Sequence, residues 1–178
     1  GQIQGFFNIP VDNLYGSIVF NDYIKSKHFK NAVVGSPDIG GIARARSVAK
    51  KLGLDIIIVD KRREKANESE VMNIIGDVNG KEVVLVDDII DTAGTIVKAA
   101  KALKEKGANS VMACCTHAVL SGEAYERIAK GDLDELVITD TIPLKKEHEK
   151  IKVLSVAPIF AEVIRRVYHN ESVNSLFI

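Results

Sequence analysis

Short apolar runs recur along the chain, separated by stretches with a helical period. The runs are AVVGS from Ala32, DIIIVD from Asp55, KEVVLVDD from Lys81, SVMACC from Ser110, ELVITD from Glu135 and KVLSV from Lys152. Several are apolar throughout rather than at alternate positions, which predicts strands covered on both faces, as in a parallel sheet. The segments between them predict helices over 40–52, 95–106, 122–130 and 157–168, the second closed by Gly107 in a C-cap position. Another helix is predicted over 13–27 with Asp12 as its N-cap. Over 71–87, VMNIIG, DVNG and KEVVLV read as a hairpin closed by an Asn79-Gly80 turn. The fold class is then α/β: a central, mainly parallel sheet flanked by helices, with a β-hairpin flap. Right-handed crossovers bring the strand C-termini to one edge, where open sheets of this kind bind ligands.

Length and charge narrow the picture. The 178 residues suit one domain, 1–178, with a core of its own. Lys plus Arg equal Asp plus Glu at 24 each, so no global positive field exists to hold nucleic acid. No apolar run is long enough to span a bilayer. A small-molecule or protein partner is expected, with neither nucleic acid nor membrane. Cys114 and Cys115 are adjacent in a predicted buried strand, which suits reduced thiols and a cytoplasmic location. The opening GQIQGFFNIP lacks the basic and apolar regions of a secretory signal and begins on Gly1 rather than Met, so a missing upstream segment is expected.

The chemistry concentrates in VVLVDDIIDTAGTI, 83–96. One Asp would suffice to cap a helix after a core strand. Three, Asp87, Asp88 and Asp91, would repel one another unless cations or hydroxyl donors occupy the space between them. In the DTAGT that follows, Ala93 and Gly94 let a backbone approach closely and Thr92 and Thr95 offer hydroxyls. The next helix turns its N-terminal N–H groups toward the loop, making a phosphate cradle. A carboxylate pair beside a phosphate site suits a sugar phosphate.

Two further segments carry polar features at predicted strand ends. VVGSPDIGG, from Val33, reads on its own as a plain strand-to-helix turn in which Gly40 or Gly41 takes a conformation closed to other residues. Asp38 is the added feature, an acid able to hold a hard cation such as Mg²⁺. DKRREKANESE, from Asp60, reads by composition as a solvated loop, yet it leaves a strand at the ligand edge with three consecutive cations.

An apolar strand followed by VDDIIDTAGT resembles the phosphoribosyl-pyrophosphate motif of the type I phosphoribosyltransferase fold. SPDIGG and VDKRREKANESEVMNIIG resemble the pyrophosphate loop and the mobile catalytic loop of ribose-phosphate pyrophosphokinases, bacterial type. IQGFFNIPVDNLYGS is similar to a signature segment of that family, and THAVLSG fits it as well. SVNSLFI resembles a segment at a subunit interface near the allosteric phosphate or ADP site, and reads equally as a docked apolar tail. His117 is given no catalytic role.

The resemblance implies Mg²⁺-dependent transfer of the β,γ-pyrophosphoryl group of ATP to ribose 5-phosphate, giving phosphoribosyl pyrophosphate and AMP. Lys61 is then the catalytic lysine, and Arg63 a contact to substrate and transition state. Asp87 and Asp88 read the ribose hydroxyls, while Asp91, Thr92, Ala93, Gly94 and Thr95 seat the 5′-phosphate. Asp38, Ile39, Gly40 and Gly41 form the pyrophosphate loop, with Asp38 a magnesium ligand. Such enzymes have two similar halves and assemble as hexamers. The chain corresponds to the C-terminal half, and the N-terminal half, with much of the ATP adenine contact and a histidine magnesium ligand, would precede Gly1. The chain by itself is then expected to bind ribose 5-phosphate but to turn over little ATP. Two other readings remain: a phosphoribosyltransferase of base salvage, which shares the VDDIIDTAGT logic but does not account for KRREKANE, and a non-catalytic regulatory module.

Overall fold

A computed structural model describes residues 2–62 and 71–176 of the chain. The apolar runs form strands where they are predicted: β1 (Ala32–Ser36), β2 (Asp55–Arg62), β4 (Glu82–Ile90), β5 (Ser110–Ala118), β6 (Glu135–Thr139) and β7 (Ile151–Leu154), and VMNIIG forms the short strand β3 (Val71–Ile75), predicted as one arm of a hairpin. They make one seven-stranded sheet in the order β3-β2-β1-β4-β5-β6-β7. Every pairing is parallel except β2 with β3.

Continuous apolarity is explained by two cores of opposite side-chain parity. On one face Val33, Leu85, Ala113, Cys115, Leu136 and Ile138 pack with Ile96, Ala99, Ala100 and Leu103 of α3 (Gly94–Glu105) and Ile128 of α4 (Ala124–Lys130). On the other, Val34, Val84, Val86, Met112, Cys114 and Val137 meet Phe20 and Ile24 of α1 (Ser17–Ser26) and Ala45, Val48 and Ala49 of α2 (Ile42–Leu52). Successive strand residues point to opposite faces, so a strand buried on both must be apolar at every position. α1 is fastened to β6 where the Tyr23 hydroxyl donates to Glu135 Oε1 at 2.6 Å and Lys27 Nζ lies 2.7 Å from Glu135 Oε2.

The hairpin expected over 71–87 is corrected. β3 pairs with β2, and β4 lies between β1 and β5, with two strands between it and β3. The Asn79-Gly80 turn does form, with Gly80 at φ +68° and Lys81 N–H donating to the Val78 carbonyl at 3.1 Å. It redirects the chain into the sheet centre because the fully apolar 83–86 run demands burial on both faces. The antiparallel pair is instead β2 and β3, which flank 63–70.

Three helix starts are also corrected. α1 begins at Ser17 with Gly16 as its N-cap rather than at residue 13 with Asp12. Its buried residues Phe20, Asn21 and Ile24 all lie after Gly16, whose backbone is packed close to Thr116 of β5, so tertiary packing outweighs the capping preference of Asp12. α4 starts at Ala124 because Gly122, at φ +55°, cannot continue a right-handed helix. The predicted 40–52 helix is a 3₁₀ turn, Ile39–Gly41, leading into α2. Gly107 closes α3 as expected: at φ +91° its N–H donates to Lys104, and Ala108 N–H reaches Leu103. α5 (Ala157–Tyr168) buries none of its residues, and no helix among the described residues is long and apolar enough to cross a membrane.

Candidate active site

Strand order reverses between β1 and β4: the chain moves outward from β1 to β2 in one direction, and from β4 through β7 in the other. Loops leaving the C-terminal ends of two such strands diverge and leave a crevice. A cleft of ≈ 290 Å³ lies there, lined by Asp38 after β1, Asp87 through Ile90 of β4, Asp91 through Ala93 of the following loop and Gly94 through Ile96 of α3. Eight predicted residues, Asp38, Asp87, Asp88, Asp91, Thr92, Ala93, Gly94 and Thr95, are thus brought together. Ile39, Gly40 and Gly41 form the 3₁₀ turn directly behind Asp38.

That turn is built by Asp38 itself. Its Oδ1 accepts the Gly41 N–H at 3.0 Å, and Gly41 is buried so closely on Ser36 that a Cβ would run into the serine Oγ. Gly41 sits at φ −89°, so the glycine is required by close approach and not by a left-handed backbone. The left-handed position in the loop after β4 is Ala93, φ +59°, buried at the α3 N-cap. A non-glycine residue held there is a strained position of the kind that clusters at ligand loops.

The acidic pair has a partner that sequence reasoning missed. Arg44 of α2 places Nη1 3.2 Å from Asp87 Oδ1 and Nη2 2.5 Å from Asp88 Oδ2. The Asp88 N–H also donates to Asp87 Oδ1 at 2.9 Å. Burial pushes the Asp87 carboxyl up to about 6, against the pull of the Asp88 N–H and the Arg44 charge. Part of the cation expected between the carboxylates is therefore supplied by the protein. The visible signal was position: ARAR follows the DIGG turn by one residue, so the first turn of α2 necessarily faces the neighbouring strand end. Two more unpredicted residues reach the loop from the β5–α4 side. Ser121 Oγ donates to Asp91 Oδ1, and Arg127 Nη1 donates to the Thr92 carbonyl at 2.9 Å.

Of the two predicted catalytic residues, Lys61 lies in β2 opposite Met72 of β3, and Arg63 lies outside the described residues. Phe177 and Ile178 of the terminal SVNSLFI lie outside them too.

The phosphoribosyl synthetase-associated domain family matches residues 62–178. The ribose-phosphate pyrophosphokinase of Campylobacter jejuni is 87% identical over all 178 residues, which make up 58% of that protein. The crystal structure of phosphoribosylpyrophosphate synthetase from Mycobacterium smegmatis superposes with a TM-score of 0.85 at 38% identity, covering 95% of this chain and 56% of that one. The purine phosphoribosyltransferase of Pyrococcus horikoshii, at TM-score 0.51 and 19% identity over 83% of this chain and 92% of its own, shares the fold. The chain thus spans little more than half the length of the ribose-phosphate pyrophosphokinases it matches. On the family match and the high identity together, it belongs to the phosphoribosyl synthetase family, that of the ribose-phosphate pyrophosphokinases.

Proposed function

We propose that the chain is the ribose 5-phosphate-binding domain, C-terminal of two similar halves, of a ribose-phosphate pyrophosphokinase. The whole protein transfers the β,γ-pyrophosphoryl group of ATP to the anomeric hydroxyl of ribose 5-phosphate, releasing AMP. The observation that carries this reading is one cleft holding both a carboxylate pair and a helix-terminal loop at the point where strand order reverses.

The chain's own residues divide the work. Asp87 and Asp88 accept hydrogen bonds from the vicinal ribose hydroxyls, with Arg44 fixing their carboxylates. The N–H groups and hydroxyls of the Thr92–Thr95 loop hold the 5′-phosphate at the positive end of α3, with Asp91 beside them. Lys61 and Arg63 close over the transferring group and offset its charge. Positioning supplies much of the rate, and no protein nucleophile is needed.

The carboxylate of Asp38 would suit a hard cation such as Mg²⁺. Asp38 stands on the cleft wall, its Oδ1 accepting the Gly41 N–H at 3.0 Å. Mg²⁺ is commonly held by one or two carboxylates together with substrate phosphates. Asp38 would hold it, where it offsets charge on the polyphosphate oxygens. The adenine of ATP is met by the other half of the protein, in a cytoplasmic homo-oligomer.

Titration calorimetry of the 178-residue chain tests the reading: ribose 5-phosphate binds, while ATP with ribose 5-phosphate yields little AMP. Robust AMP formation by this chain would refute the division of labour between halves. Pyrophosphate release with a nucleobase would move the assignment to a phosphoribosyltransferase.

A further inference from the structure

The phosphate loop is held from behind by residues that no part of the proposed reaction uses. β5 ends at Ala118, and the chain then folds back on the end of β4: Val119 and Leu120 N–H donate to the Ile90 carbonyl at 3.0 and 3.2 Å, and Ser121 N–H donates to the Asp91 carbonyl at 3.1 Å. Leu120 is buried at φ +48°, a second non-glycine residue in the left-handed region beside Ala93. Ser121 also uses its hydroxyl to hold the Asp91 carboxylate, and Arg127 holds the Thr92 carbonyl at 2.9 Å. The other arm of Arg127 is occupied by Glu123 at 2.9 Å, which compensates its charge.

The consequence follows from peptide geometry. In a trans peptide the carbonyl oxygen and the following N–H lie in one plane and point in opposite directions, and the described chain has no cis bond. Anchoring the Asp91 carbonyl on Ser121 turns the Thr92 N–H away from the β5–α4 side. Anchoring the Thr92 carbonyl on Arg127 does the same for the Ala93 N–H. Both residues line the cleft, and among the described residues neither N–H donates to a backbone carbonyl. Two successive N–H groups aimed into one concavity make an anion-binding nest.

We propose that Ser121 and Arg127 are positioning residues that hold the Asp91 and Thr92 carbonyls back, keeping the Thr92 and Ala93 N–H groups preset for the phosphate of a sugar phosphate. The inference rests on the ribose 5-phosphate reading above. Because Arg127 works through the loop and is paired with Glu123, its charge does not touch the phosphate.

The experiment measures ribose 5-phosphate and inorganic phosphate affinity of the 178-residue chain and of its S121A, S121T, R127A and R127K variants, at several salt concentrations. Amide resonances are followed by ¹⁵N–¹H NMR. S121A and R127A are expected to lose tenfold or more in affinity for both ligands, and S121T to recover most of it. The slope of affinity against salt should stay unchanged in R127A, and the Thr92 and Ala93 amide peaks of the ligand-free protein should move. If R127A does not fold, the S121A and S121T pair decides by the same criteria. Wild-type binding with undiminished affinity in S121A and R127A would overturn the positioning role alone. So would a shallower salt slope in R127A, which would make Arg127 a direct phosphate ligand. Absence of ribose 5-phosphate binding by the wild-type chain would overturn the inference together with the reading beneath it.

Discussion

Arg44 Nη1 lies 3.2 Å from Asp87 Oδ1, joining the first turn of α2 to the end of β4 across 43 positions of chain. The contact opposes, without cancelling, the effect of burial, which holds the Asp87 carboxyl up at about 6. A carboxyl whose pKa is raised on folding contributes full stability below its usual range and loses it as pH rises through the folded value. Wild-type stability should therefore fall between about pH 4 and pH 7 on account of Asp87. Asp87→Asn removes that penalty and should be more stable than wild type at pH 8 by about 1–2 kcal/mol after screening, with the gap closing toward pH 4. Arg44→Gln should act in the opposite sense, pushing Asp87 further up and steepening the loss. Urea unfolding at a series of pH values reads all three proteins. A pH-independent difference between wild type and Asp87→Asn would show that Asp87 does not titrate in this range.

The division of roles within the cleft gives a second expectation. Asp88 and the Thr92–Thr95 loop line it, whereas Lys61 belongs to β2, on the far side of β1 from β4. Asp88→Ala and Thr95→Ala should each weaken ribose 5-phosphate binding tenfold or more, about 1.4 kcal/mol. Lys61→Ala should leave it within about twofold, or 0.4 kcal/mol, because its proposed work is on the transferring group. Calorimetry on the three variants measures this, and equal losses in all three would undo the assignment.

How much of this was legible in the sequence depends on how local each determinant is. The strands of the parallel sheet were readable because burial on both faces writes itself as unbroken apolarity, as in Val83–Val86. The cleft was readable for the same reason: Asp38 and the 87–95 run each follow such an apolar run. The hairpin was misread because the Asn79-Gly80 turn is a true turn whose strand partner is set elsewhere, by the demand of β4 for a neighbour on each side. Asp12 offered a local cap that lost to the packing of Phe20 and Ile24. Ser121 and Arg127 lie 30 and 35 positions from their partners, and a single sequence carries no signal for such pairs, whereas Arg44, 43 positions from Asp87, was marked only by its place one turn after DIGG.

Two glycines with left-handed backbones separate conformation from packing. Gly53, at φ +67°, closes α2 with open space where a Cβ would stand. Gly107, at φ +91°, closes α3 with Asn79 occupying that space. Gly53→Ala should cost only the left-handed penalty, about 1 kcal/mol. Gly107→Ala should cost about 1–3 kcal/mol more, because Asn79 and the turn leading into β4 must move. Adding Asn79→Ala should recover part of the Gly107→Ala loss and none of the Gly53→Ala loss. Denaturant midpoints of the single and double variants supply the comparison.

Gly41 supports the site by close approach alone. A methyl group at this position would collide with Ser36 Oγ, itself fully buried at the end of β1, while the Gly41 N–H holds Asp38 Oδ1 at 3.0 Å. Relief of the collision must turn the Ser36 hydroxyl away or shift the strand end or the 3₁₀ turn, and of the last two the turn is the softer because β1 is clamped between β2 and β4. Gly41→Ala should therefore destabilise the fold by about 1–3 kcal/mol and displace Asp38 with the turn. Ser36→Ala removes the oxygen that the new methyl would strike, so the double variant should regain most of the stability lost. Urea unfolding measures the coupling between the two positions. A double variant whose loss is the plain sum of the single losses would place the cost of Gly41→Ala somewhere other than the contact with Ser36.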